Sequence, residues 1–165
     1  AKKKLKIKSN EKNILLGIGG SGATKRVPAK KYIEFIKLVA SKHKSRFFLA
    51  TGKNPEEQKI LNQIMKIRFK GSCKRLDNLS IKKILPIICN CDISVCNDSS
   101  FSHLSAALGI KTIVLMTDTP LMYGNYSKYM HAIIPDGEKT VKHNTQGKNK
   151  INSQKIFNKY KNLIN

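Results

Sequence analysis

Short apolar segments alternate with longer segments of helical periodicity along this chain, and that alternation restricts the fold more than any other sequence feature. Apolar runs lie at 13–18, 46–50, 92–96 and 111–116, and each has the length of a buried strand. Between them, apolar residues recur at the spacing of an amphipathic helix. The pattern predicts an α/β fold, a Rossmann-like doubly wound parallel sheet with helices on both faces.

The helices are predicted from their apolar stripes and from boundary residues such as Pro28 and Pro55. They are expected near 29–39, 55–67, 79–89, 101–108 and 153–163. Other segments are less defined: 69–76 is either a short strand or a turn, 117–128 is a polar loop, and 132–134 is a short strand. Residues 1–12 are predicted to be a basic lead-in, and 13–165 to form one domain.

The net charge of +22 is the most unusual feature of the composition, and it points first to nucleic acid or an anionic membrane. The cations are 28 Lys and 4 Arg, beside 20 Ile and 14 Asn, and these Lys, Ile and Asn residues share A/T-rich codons. Base or phosphate readout favours Arg, which is scarce here. A basic nucleic-acid-binding protein therefore stays an alternative, but the expectation is that nucleic acid is not a partner.

A glycine-rich loop, Gly17 to Arg26, follows the first predicted strand. It contains G-x-G-x-x-G, which suggests a nicotinamide dinucleotide site in an oxidoreductase. Against this, Pro28 delays the following helix, and no acidic residue directly follows the second strand at Ala50-Thr51 to hold a ribose hydroxyl. A flexible loop carrying the cations Lys25 and Arg26 also suits a diphosphate, or is an ordinary connection with surface charge.

Two further loops are expected at the same sheet edge, because ligands bind at the carboxyl ends of parallel strands. The segment 97–100 precedes a helix, so its amide groups suit an anion, and a helix cap without a ligand equally explains Asp98 or Ser99. Glu56 and Glu57 open another helix, where a carboxylate suits both the helix dipole and the hydroxyls of a ribose.

Taken in order, these motifs resemble the lipopolysaccharide heptosyltransferases of glycosyltransferase family 9, and specifically their C-terminal, donor-binding half. The resemblance runs from about Asn13 to Ile134. The matching residues are Thr24-Lys25-Arg26 with Pro28, Thr51-Gly52 with Glu56, Leu79-Ser80-Ile81, Asn97-Asp98-Ser99 with His103-Leu104, Ala106-Ala107-Leu108-Gly109 with Thr112, and Thr117-Asp118-Thr119-Pro120 with Tyr123-Gly124.

The resemblance implies a group of residues around the diphosphate of a nucleotide sugar. Lys25 matches the family lysine that neutralises the diphosphate, and Ser21 matches a small hydroxyl residue near the phosphates. Ser99 and Ser100 match the pair whose backbone amides bind the same group. No metal and no other cofactor is implied.

The resemblance also implies contacts to the rest of the donor. Glu56 most nearly matches the acid that holds the ribose, with Glu57 as the alternative register. Leu79 matches the apolar residue behind the adenine ring, Asp98 matches the acid that contacts the donor sugar, and His103 matches the histidine on the same helix.

The family implies an inverting GT-B glycosyltransferase that moves heptose or a related sugar from ADP-heptose to a lipopolysaccharide core acceptor. Its catalytic base comes from an N-terminal acceptor domain, which is expected to be absent from these 165 residues. The expected partners are an ADP-sugar and a lipid-linked core saccharide. The expected location is cytoplasmic, with peripheral contact at the inner membrane face through cations near the end of the sequence (Lys148, Lys150, Lys155, Lys159 and Lys161).

Overall fold

Six strands form a single parallel sheet in the computed structural model, which describes residues 11–164. They are β1 (Lys12–Gly17), β2 (Ser45–Ala50), β3 (Gly71–Arg75), β4 (Ile93–Asn97), β5 (Thr112–Leu115) and β6 (Met130–Ile133). Their spatial order is β3-β2-β1-β4-β5-β6, and each neighbouring pair is parallel. The predicted doubly wound sheet is confirmed, and its order reverses between β1 and β4, where such folds bind ligands.

Five α-helices cover the two faces of the sheet among the described residues. They are α1 (Ala29–Ala40), α2 (Pro55–Met65), α3 (Ile81–Ile88), α4 (Ser100–Ala107) and α5 (Ser153–Ile164). Side chains of α1, α2 and α5 pack on one face, and those of α3 with Phe101 of α4 pack on the other. Among these described residues, no helix has the length and apolarity that crossing a membrane requires.

Strand alternation explains how both helical layers attach to the same sheet. Ile14 and Leu16 of β1 join the first helical layer, whereas Leu15 between them joins the second. All three are fully buried, as are Phe47 and Phe48 of β2, which alternate in the same way. Because neither face of the central strands meets water, their sequences are continuously apolar, which made them predictable.

The structure refines several predicted boundaries. Residues 1–10 of the predicted lead-in lie outside the described residues, but Lys12, assigned to that lead-in, begins β1 because its N–H bonds to Lys44 O at 3.0 Å. The undecided segment 69–76 contains the edge strand β3. The predicted loop 117–128 contains a 3-10 helix at Leu121–Gly124, and another 3-10 helix, Ala23–Lys25, lies in the glycine-rich loop.

The four cysteines are free thiols, and two of them are core residues. Cys91 and Cys96 are buried, and burial raises the pKa of the Cys96 thiol to about 12. Cys89 is exposed. Cys96 lies in β4 and Cys91 lies shortly before it, so both thiols belong to the core.

Candidate functional site

An open cavity of about 450 Å³ lies at the carboxyl edge of the sheet, beside the point where the strand order reverses. Its walls come from the glycine-rich loop, the β2–α2 connection, α3 with the residues before it, and the start of α4. The lining residues are Gly19, Gly20, Ser21, Thr51, Gly52, Glu57, Leu79, Ile81, Ile84, Ser99, Ser100 and Phe101. The volume lies within the range of small-molecule sites. The structure thus brings together Ser21, Leu79, Ser99 and Ser100, which the sequence analysis selected separately.

The cavity lining has an apolar part and a polar part. Leu79, Ile81 and Ile84 present aliphatic side chains, and Phe101 adds an aromatic ring. The polar part consists of the glycine-rich loop with Ser99 and Ser100 at the N-terminus of α4. Such a division suits a ligand with a flat apolar part and an anionic part. A wider cavity between α1 and residues 149–154, about 630 Å³, contains none of the predicted site residues.

Asn97, the last residue of β4, holds the glycine-rich loop in place. Its Nδ2 donates to Ile18 O at 3.0 Å and to Gly19 O at 3.2 Å. Its Oδ1 accepts from the Tyr32 hydroxyl of α1 at 2.7 Å. Asn97 has no solvent-exposed surface, so these bonds replace those that water would make. The sequence analysis placed Asn97 in a polar turn but did not identify this role.

Close packing also constrains Gly17, the last residue of β1. A Cβ atom added at Gly17 would lie 2.6 Å from Cys96 Sγ of the neighbouring strand. The first glycine of the G-x-G-x-x-G pattern is therefore explained by contact between strands β1 and β4, without reference to a ligand.

Glu57 of α2 joins the glycine-rich loop to the β2–α2 connection. Its carboxylate accepts from Gly20 N at 2.9 Å, Gly52 N at 2.8 Å and Thr51 Oγ1 at 3.1 Å. The Arg26 guanidinium lies 3.6 Å from it and also donates to Gly20 O at 2.9 Å. This buried carboxylate is part of the cavity wall.

Of the two adjacent acids at the start of α2, the structure places Glu57 in the cavity lining. The family resemblance favours Glu56 with Glu57 as the alternative register, and the Glu56 side chain is 67% exposed and paired with Arg26. Successive residues of a helix point about 100° apart, so only one of two adjacent acids can face the cavity. The helix begins at Pro55 after Asn54, whose side chain accepts from Glu56 N at 2.9 Å. That starting point turns Glu57 inward.

Replacing Glu57 with glutamine is expected to lower the free energy of unfolding by about 1–3 kcal/mol, because a glutamine amide cannot accept all three hydrogen bonds. Glu56→Gln is the matched control, and its expected effect is within about 0.5 kcal/mol because the ion pair is exposed. Urea unfolding of both variants checks this. Equal effects would contradict the assignment of Glu57 as the residue that supports the loops.

Lys25 and Asp98 form an ion pair at the same edge of the sheet. Lys25 Nζ lies 2.9 Å from Asp98 Oδ2, which also accepts from Thr119 Oγ1 at 2.6 Å. Asp98 is only 6% exposed, whereas the Lys25 side chain is 24% exposed. The lysine of the glycine-rich loop therefore reaches the residue directly before Ser99, and the two predicted groups of residues meet.

The N-terminus of α4 faces the cavity. Ser99 caps the helix from an extended conformation, and the Ser102 hydroxyl donates to Ser99 O at 2.7 Å. Ser100 begins the helix and is exposed at the cavity wall. Amide groups in a first helical turn have no carbonyl partner within the helix, and they make this end electropositive.

His103 lies one turn into α4, beside the ion pair. Its Nε2 is 3.6 Å from Asp98 Oδ1, and its Nδ1 is 2.8 Å from the hydroxyl of Tyr126. The two rings are nearly parallel, with an interplanar angle of 18°. No local sequence pattern indicates Tyr126, because its contact is with a residue 23 positions earlier in the chain.

Among the described residues, no group of three His, Cys, Asp or Glu side chains is arranged to hold a metal ion.

The sequence model of glycosyltransferase family 9 (heptosyltransferase) matches residues 1–156. The chain is 30% identical over 171 aligned positions to lipooligosaccharide heptosyltransferase 2 of Campylobacter jejuni, covering 94% of this chain and 52% of that protein. It is 24% identical to lipopolysaccharide heptosyltransferase 1 of Campylobacter coli, covering 82% of this chain and 40% of that protein. The chain thus spans about half the length of these relatives.

Solved structures show the same fold at lower sequence identity. The E. coli heptosyltransferase WaaC with ADP superposes with a TM-score of 0.75 at 15% identity, over 95% of this chain and 46% of that one. E. coli ADP-heptose lps heptosyltransferase II also superposes with a TM-score of 0.75 at 19% identity, over 99% of this chain and 49% of that one. UDP-GlcNAc 2-epimerase from Neisseria meningitidis superposes with a TM-score of 0.60 at 16% identity, over 99% of this chain and 38% of that one.

Proposed function

The chain belongs to glycosyltransferase family 9, the heptosyltransferase family, and on this premise we propose that it is the donor-binding part of a lipopolysaccharide heptosyltransferase. It would bind ADP-heptose, or a related nucleotide sugar, for transfer of the sugar to a lipopolysaccharide core acceptor. The observation that carries the proposal is the meeting of Lys25, Asp98 and the N-terminus of α4 beside the cavity.

The apolar and polar parts of the cavity lining suggest how the nucleotide lies. The adenine ring would pack against the aliphatic wall that contains Leu79, and the ribose would lie near Glu57 rather than Glu56. The diphosphate would then reach the electropositive end of α4 at Ser99 and Ser100, with Ser21 on the facing loop. We propose that Lys25 supplies the neutralising charge.

The chemistry proposed for this site is stabilisation of a leaving group. As the bond between the sugar and the β-phosphate breaks, its electrons pass to a phosphate oxygen, and negative charge grows on the diphosphate. Lys25 and the first amide groups of α4 would stabilise that charge as it develops, since the lysine reaches the residue directly before the helix. Asp98 would hold hydroxyl groups of the departing sugar. We expect transfer with inversion and without a metal ion.

The acceptor half of the reaction is assigned to a separate domain. We propose that residues 13–165 act as the donor domain of a GT-B enzyme whose N-terminal acceptor domain provides the catalytic base. This division is consistent with the coverage of about half of the relatives. The acceptor would be a lipid-linked core saccharide at the inner face of the cytoplasmic membrane.

Peripheral contact with that membrane would depend on a subset of the basic residues near the end of the chain. Lys150 and Lys155 are paired with Glu138 and Asp136, which reduces their attraction to an anionic surface. Lys159 and Lys161 of α5 are the better candidates for this contact, at about 1 kcal/mol per cation near the surface.

A panel of nucleotides tests the proposed function. ADP is expected to raise the melting temperature of the chain more than UDP, GDP or NAD at equal concentration, because the adenine and the diphosphate both find partners. A ligand at 100 times its Kd stabilises by about 2.7 kcal/mol. A largest shift with NAD would favour the dinucleotide-dependent oxidoreductase, and no shift with any nucleotide would remove the proposal.

A further inference from the structure

We propose that Tyr126, supported by His103, is a stacking surface for the sugar ring of the nucleotide-sugar donor. This inference rests on the proposed function and adds to it a residue that would distinguish the donor from the free nucleotide. The ring of Tyr126 is exposed, and the polar contact of its hydroxyl with His103 fixes it beside the site.

Tyr126 is fixed although it lies on the surface. The residue is 63% exposed. Its hydroxyl nevertheless lies 2.8 Å from His103 Nδ1, and the angle between its ring and the imidazole is 18°. His103 in turn has Nε2 at 3.6 Å from Asp98 Oδ1. If the tyrosine hydroxyl donates to Nδ1, the proton of the neutral imidazole is on Nε2 and faces the Asp98 carboxylate.

The contact with His103 distinguishes Tyr126 from the other exposed residues of the same segment. Met122 is 67% exposed and Tyr123 is 48% exposed on the same segment, so exposure alone does not distinguish Tyr126. What distinguishes it is the contact with His103, whose other ring nitrogen faces Asp98, the acidic residue of the site. Exposed aromatic rings that are oriented in this way are suited to binding, since little side-chain entropy remains to be lost.

A sugar ring is the ligand that fits this combination. One face of a pyranose is made of C–H groups, which pack on an aromatic ring, while its hydroxyl groups require acceptors such as a carboxylate. Tyr126 provides the first surface and Asp98 the second. The sugar of a nucleotide sugar is bonded to the β-phosphate, so a diphosphate at Lys25 places it next to Asp98, the ion-pair partner of that lysine.

The test compares the affinities of ADP and ADP-heptose by calorimetry for wild type, Tyr126→Ala, Tyr126→Phe and Tyr123→Ala. Tyr126→Ala is expected to weaken ADP-heptose binding by about 3- to 10-fold and to change ADP binding by less than about twofold. Tyr126→Phe keeps the ring but loses the hydroxyl contact with His103, so its ADP-heptose affinity is expected to lie between those of wild type and Tyr126→Ala. Tyr123→Ala is the control for loss of an exposed ring from the same segment.

The outcomes separate this inference from the function on which it rests. Wild-type protein that binds neither ADP nor ADP-heptose would remove both. Binding of ADP with an unchanged preference for ADP-heptose in Tyr126→Ala would overturn the stacking role alone. Equal losses for ADP and ADP-heptose, or equal losses in Tyr126→Ala and Tyr123→Ala, would also overturn it.

Discussion

Replacing Asn97 with alanine is expected to lower the free energy of unfolding by about 3–5 kcal/mol. The substitution leaves Ile18 O, Gly19 O and the Tyr32 hydroxyl without their partner, in a position that water does not reach. A buried polar group that loses its partner costs about 1–3 kcal/mol. For a chain of this size the melting temperature should fall by about 10 °C, which scanning calorimetry measures directly.

Tyr32→Phe is the matched comparison for this prediction. It removes one hydrogen bond to Asn97 and leaves the two bonds to the glycine-rich loop intact, so its expected cost is about 1 kcal/mol. Asn97→Ala should also weaken ADP binding, because the loop loses its connection to β4, whereas Tyr32→Phe should not. Equal effects of the two variants on stability would show that Asn97 does not hold the loop.

Replacing Lys25 with alanine is expected to weaken ADP binding by about 10- to 100-fold, or about 1.4–2.7 kcal/mol, which is the range for loss of a charge-assisted contact. The effect on folding should be smaller, about 1 kcal/mol, because Asp98 keeps its hydrogen bond from Thr119. Calorimetric titration well below the melting temperature separates the two effects.

Lys30→Ala is the control for the loss of a positive charge. Lys30 is an exposed residue in the first turn of α1, and its removal changes the net charge by the same amount. Charges separated by more than the Debye length, about 8 Å at physiological salt, are largely screened. Because Lys30 is exposed and its charge is screened by salt, Lys30→Ala should leave ADP affinity within about twofold. Similar losses in both variants would mean that the high net charge, rather than a specific contact, attracts the nucleotide.

The sheet was predictable from the sequence because its central strands are buried on both faces. Continuous apolar runs marked β1, β2, β4 and β5, and the helical stripes between them required parallel pairing. The edge strand β3 was undecided because five half-exposed or exposed residues give it no apolar run, and it pairs with β2 alone. The short 3-10 helices depend on local turns that carry no periodic signal.

The site was predictable in its location but not in its internal contacts. Strand ends and helix starts placed Ser21, Lys25 and Ser99 at one edge, because parallel strands bring their carboxyl ends together. The choice between Glu56 and Glu57 depended on the position of the first helical residue, which sequence patterns fix only to within a few residues. The bonds of Asn97 and the contact of Tyr126 with His103 join distant parts of the chain, so no local pattern indicates them.

The central claim is that Lys25 and the N-terminus of α4 hold a diphosphate at the carboxyl edge of the sheet. The most direct measurement is a crystal structure of the chain with ADP, from which the distance between Lys25 Nζ and the nearest phosphate oxygen is read. We expect a hydrogen-bond distance there, with the phosphates also within reach of the amide groups of Ser99 and Ser100. Phosphates bound elsewhere, with Lys25 still paired only to Asp98, would contradict the account.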